Sequence, residues 1–107
     1  MSFTGDEGGF ISLQNAAALT RNYRNNSGQS NPIRGQFLGS NKLMELMKQT
    51  GAVGLRIYYG ASEAGVPKIV VVGVDSDEND ILGEDPLILD TSMPCPPNCS
   101  SSNSLNS

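Results

Sequence analysis

At 107 residues the chain holds enough material for one hydrophobic core and too little for two. Its 37% hydrophobic content, with 6% aromatic residues, no Trp and 12 glycines, keeps that core thin and leaves much of the chain to loops. A net charge of −4 argues against a nucleic-acid partner, which selects a basic face, and no apolar run approaches the roughly 18 residues of a membrane span.

The charge is unevenly spread. All seven Lys and Arg lie before Asp75, against Asp6, Glu7, Glu45 and Glu63, while Asp75, Asp77, Glu78, Asp80, Glu84, Asp85 and Asp90 follow with no base among them. Opposite halves attract, so the acidic segment is expected to lie over the basic half, the other reading being an acidic docking arm. Met1 to Ala18 lacks the basic start and apolar run of a signal peptide, which makes the cytoplasm the expected location.

Met1 to Gly9 reads as a flexible leader. Ser12 then caps a helix in which Leu13, Ala16, Ala17, Leu19, Thr20 and Tyr23 fall on one half of the wheel, facing a core. Arg21 and Arg24 suit its negative end, and Asn25-Asn26-Ser27-Gly28 stops it. Asn31-Pro32 predicts a short helical turn over Ile33 to Leu38, interrupted by Gly39. Ser40 is the expected cap of a further helix carrying Leu43, Leu46 and Met47, ended by Gly51.

The period then changes to two. Val53, Leu55, Ile57 and Tyr59 alternate with Gly54, Arg56 and Tyr58, which predicts a strand with one solvated face. Ile69 to Val74 is apolar on both faces, as a central strand would be, and Gly60 to Pro67 fits a loose hairpin between the two. Leu87 to Leu89 fits a third, shorter strand or equally an extended coil. The expected fold is α+β, with two or three short helices packed on a small, mainly antiparallel sheet around a central hairpin, and an irregular acidic C-terminal third. Residues 10–90 form the expected single domain and 91–107 a tail rich in Pro, Cys, Ser and Asn.

Asp75, Asp77, Asn79 and Asp80 resemble the first half of a calcium loop and are the candidate metal ligands. The rest of that pattern is missing, because Asp80 stands where Gly belongs and Pro86 where the closing Glu belongs. In the tail, Cys95 and Cys99 enclose Pro96-Pro97-Asn98, a spacing unlike the C-x-x-C of redox sites, and zinc would require ligands from elsewhere. Free thiols, a local disulfide and metal binding stay open for this pair. No His is present, so no Ser-His or Cys-His pair can form, and no phosphate-binding glycine loop precedes Lys42.

Taken in order, Gly9-Phe10-Ile11-Ser12-Leu13, Gly54-Leu55-Arg56-Ile57-Tyr58-Tyr59-Gly60, Val70-Val71-Val72-Gly73-Val74-Asp75 and Cys95-Pro96-Pro97-Asn98-Cys99 resemble a group of small uncharacterised proteins from Bacteroidota. The resemblance implies a bacterial cytoplasmic origin and brings no activity, cofactor or catalytic residue.

These features favour a small non-enzymatic binding or protein-interaction module without a cofactor. Arg56 and Tyr58 are the candidate contact residues, and with Val70 and Val72 they form the expected surface of a homodimer, since two short helices cover one side of the sheet only. An unidentified protein is the other expected partner. Two alternatives stand beside this reading: a metal-assisted enzyme or cation-binding protein using Asp75 to Asp80, and a precursor whose Cys and Ser tail is later modified.

Overall fold

The computed structural model describes residues 2–106 and is mixed α+β, with two helices and small antiparallel sheets. The chain divides into two compact units. One takes the residues up to Gly8 and Leu38–Ser92; the other takes Gly9–Phe37 and the residues from Met93 on.

The first unit is built on a hairpin. β2 (Ala52–Ala61) pairs antiparallel with β3 (Pro67–Asp75), with Leu55 opposite Gly73, Arg56 opposite Val72, Ile57 opposite Val71 and Tyr58 opposite Val70. The connection closes at Ser62, whose N–H donates to the Val66 carbonyl at 2.9 Å and whose hydroxyl accepts from the Val66 N–H at 3.1 Å. Gly65 takes the left-handed conformation that this turn needs, at φ +84. β4 (Ile88–Leu89) adds to the far edge of β3 and makes β3 the central strand. Val71, Val72 and Val74 are 1%, 3% and 3% exposed, and each such valine contributes about 1.5 to 3 kcal/mol by leaving water.

α2 (Ser40–Met47) packs against β2 and β3 and buries Leu46. The expected cap, Ser40, is instead the first helical residue; Gly39 occupies the cap position in extended conformation and makes no side-chain bond. A Cβ on Gly73 would stand 2.5 Å from Gln49 Nε2 and 3.3 Å from the Leu46 carbonyl oxygen, so α2 lies on the face that Gly73 shares with Leu55 and Ile57. Arg56, Tyr58, Val70, Val72 and Val74 occupy the other face by alternation. An eight-residue helix reaches about 12 Å and a ten-residue strand about 33 Å, so α2 covers only part of β2. Ile57 and Tyr59 accordingly remain 55% and 95% exposed.

In the second unit, α1 (Leu13–Asn25) starts as its sequence predicts, with the Asn15 N–H donating to Ser12 Oγ at 3.0 Å, and ends at Asn26. Its apolar half is only partly covered: Ala17 is buried, while Leu13, Leu19 and Tyr23 stay 60%, 62% and 51% exposed. The rest of this unit offers little area, because its sheet consists of two three-residue strands.

Those strands correct two expectations. The helical turn predicted over Ile33 to Leu38 is β1 (Gly35–Phe37), and the tail predicted as irregular supplies its partner β5 (Met93–Cys95), with Gly35 opposite Cys95 and Phe37 opposite Met93. A partner distant in sequence outweighs the local helix signal of Asn31-Pro32, which Gly35 weakens in any case. Beyond β5, Cys95 and Cys99 form a disulfide, and the Arg24 and Arg34 guanidiniums donate to the Leu105 and Asn106 carbonyls at 2.9 and 2.6 Å.

Gly73→Ala is expected to destabilise the protein by about 1 to 3 kcal/mol in chemical denaturation, since Gln49 and the α2 backbone must move aside. Gly60→Ala, whose new Cβ would meet nothing closer than 3.8 Å, is expected to change stability by less than about 0.5 kcal/mol. Equal effects of the two would contradict this packing of α2.

Candidate functional site

The polar cluster of the first unit grows from the hairpin register. Arg56 and Tyr58 are two apart on β2 and project from the same face. After β3 the chain turns back at once, so that Asp80 bridges to Val74 on the neighbouring side of β3 and brings its carboxylate to that face. Arg56 Nη1 donates to Asp80 Oδ1 at 2.5 Å, Arg56 Nη2 donates to the Glu78 carbonyl at 3.4 Å, and the Tyr58 hydroxyl donates to Asp80 Oδ2. Both oxygens of one carboxylate are thereby engaged.

The turn that delivers Asp80 is held by its own backbone. Asp75 Oδ1 accepts from the Asp77 and Asn79 N–H groups at 2.9 and 3.0 Å, the Asp75 N–H donates to the Asn79 carbonyl at 3.0 Å, and Glu78 adopts a left-handed φ of 70. This is the ordinary work of Asp at a turn. Of the four candidate metal ligands, Asp75 is occupied by amides and Asp80 by Arg56 and Tyr58, while Asp77 and Asn79 are exposed. Among the described residues no group of three or more His, Cys, Asp and Glu is placed to hold a metal ion.

Phe3, in the segment read as a leader, completes the cluster. Its N–H donates to the Ser76 carbonyl at 2.9 Å and its ring lies 5.8 Å from the Arg56 guanidinium carbon, within the range of a cation–π contact. Glu7 shapes the segment by accepting from the Thr4 and Gly5 N–H groups at 2.8 and 2.9 Å, and these bonds, that to Thr4 first, hold its carboxyl below the usual range. Between this segment and β2 lies a cavity of about 420 Å³ lined by Phe3, Gly5, Glu7 and Val53 to Ile57. Sequence reasoning does not single out Phe3, and it places Asp80 among the candidate metal ligands of an alternative reading. The available signal was an acidic residue just past a strand whose hairpin partner carries Arg.

Of the four expected contact residues, Tyr58 is exposed, Arg56 and Val70 are half-buried and Val72 is buried within the single chain. The tail pair lies in the other unit, where Cys95 and Cys99 line a second cavity, of about 340 Å³, with Arg34, Gln36 and Phe37.

No protein-family model, no curated protein and no solved structure matches this chain. Among the described residues no helix is long and apolar enough to cross a membrane.

The cluster's ionisation is settled by mutual pairing. The hydrogen bond to Asp80 pushes the Tyr58 phenol above its usual range and raises Arg56, while the bonds from Tyr58 and Arg56, opposed by partial desolvation, hold the Asp80 carboxyl below the usual range. A depressed carboxyl stabilises the fold fully above its ordinary pKa, and that contribution is lost as pH falls through the folded value. In spectrophotometric titration Tyr58 is expected to ionise above the ordinary tyrosine range; Tyr58→Phe removes that late step and Asp80→Asn moves it down. A late step that survives Tyr58→Phe would contradict the assignment.

Proposed function

We propose that the protein is a non-enzymatic interaction module that presents β2 to its partner, and that one such partner is a second copy of itself. The observation that carries the reading is the exposed run Ile57, Tyr58 and Tyr59 on a strand that pairs with β3 along its length. Aromatic side chains on a fixed scaffold bind at low entropic cost and are enriched where interfaces gain most of their energy.

The chemistry of the polar cluster favours the same reading. General acid–base catalysis needs groups poised near neutrality, yet Asp80 is pushed down while Tyr58 and Arg56 are pushed up. Each shift carries its group away from the working range. Arg56 and Asp80 serve better as a clasp that ties the acidic turn to β2.

The cytoplasm remains the proposed setting. There the Cys95–Cys99 bridge would face reducing thiols, so its state in the cell follows the compartment, while the proposed surface lies on residues of the hairpin.

Calorimetric titration with calcium, magnesium, manganese and zinc separates this module from a cation-binding protein or metal-assisted enzyme. No binding heat is expected at submillimolar metal. Heat that Asp75→Asn or Asp80→Asn abolishes would replace the interaction reading with the cation reading.

A further inference from the structure

β2 pairs with β3 along one edge only, and among the described residues no strand pairs its other edge. In an antiparallel pair every second residue turns its N–H and C=O away from the partner, so this edge offers a row of unused donors and acceptors. Edge strands usually carry protection in the form of Lys, Pro or a short length. β2 runs for ten residues, contains neither Lys nor Pro, and has one bulge, at the Ala52 to Gly54 end. Its one charged side chain, Arg56, is already paired with Asp80. The N-terminal segment comes against the strand at that same end, where a Cβ on Gly5 would stand 3.2 Å from the Val53 carbonyl oxygen. The same segment lines a cavity with Val53 to Ile57, and the strand is exposed from Ile57 to Ala61.

We infer that this open edge pairs antiparallel with the same edge of a second copy, on a two-fold axis through Tyr58, so that two three-stranded sheets become one continuous sheet. The inference rests on the interaction reading above and names its partner. Tyr58 is the midpoint of the exposed apolar run Ile57 to Tyr59, and this register centres the pairing on that run. It sets Ile57 of each copy opposite Tyr59 of the other, a β-branched residue against an aromatic one, and covers the two most exposed apolar side chains of the strand. It also sets Arg56 against Gly60 and Leu55 against Ala61, a large side chain against a small one each time. Charge is compatible with this arrangement: an axis at Arg56 would oppose two guanidiniums, whereas the axis at Tyr58 opposes none. A strand edge supplies the backbone bonds, and a side-chain pattern that matches itself selects a copy of the same chain over an unrelated peptide.

Sedimentation equilibrium on the full chain tests the register with two double variants at exposed positions, their folding checked by circular dichroism. Wild type is expected to dimerise at about 50 μM. Ile57→Lys/Tyr59→Lys places like charges opposite each other twice and is expected to weaken the dimer by about tenfold or more; Ile57→Lys/Tyr59→Glu places opposite charges there and is expected to stay within about threefold of wild type. A monomeric wild type would overturn self-pairing while the metal titration still decides between interaction and cation binding. Two variants that dimerise equally well would move the interface off β2, and two that weaken it equally would overturn the pairing of Ile57 with Tyr59.

Discussion

The burial of β3 is the constraint on which the first unit depends. A strand that reads Val70-Val71-Val72-Gly73-Val74 is apolar on both faces and cannot stand in water, so it requires a cover above, a cover below and a neighbour on each edge. β2 supplies one edge and β4 a short part of the other. α2 lies over one face, and Gly73 marks where it comes closest, because a side chain there would collide with Gln49 and the backbone at Leu46. On the other face the Arg56, Tyr58 and Asp80 cluster, with Phe3 beside it, adjoins Val72 and Val74 through the strand register.

That arrangement protects β3 and leaves β2 exposed. A helix of eight residues is too short for a strand of ten, and β4 joins the side of the sheet that β2 does not occupy. Ile57 and Tyr59 therefore stay in water, and so does the outer row of backbone groups beside them. The proposed function follows from this imbalance: the residues that complete the central strand are spent, and the surface left over is a strand edge with aromatic side chains. The polar cluster adds rigidity there, since one carboxylate binds two side chains of β2 and draws the acidic turn against them.

Much of this fold was legible in the sequence because local signals agreed with the outcome. Ser12 and Asn25 to Gly28 marked the ends of α1, and the change of period at Ala52 marked β2. The β-branched run marked β3 as central. Gly35 to Phe37 reads locally as part of a helical turn because three residues carry no period of their own and β1 exists only through its pairing with Met93 to Cys95. The site was half legible for a related reason. Alternation placed Arg56 and Tyr58 together, but Asp80 reaches them only through the tight turn after Asp75, and Phe3 only through its bond to Ser76. The bond from Phe3 to Ser76 has no signature in nearby sequence, and for Asp80 the signal is faint, an acidic residue just past β3 with an Arg on the strand that pairs with it.

The central claim, that the free edge of β2 is completed by another β2, is tested most directly by residue-resolved amide exchange as a function of protein concentration. Amides of β2 that point toward β3 should be protected at every concentration, and the alternate amides between Leu55 and Ala61 should become protected together as concentration rises. Alternate amides that exchange fast at all concentrations would contradict the account.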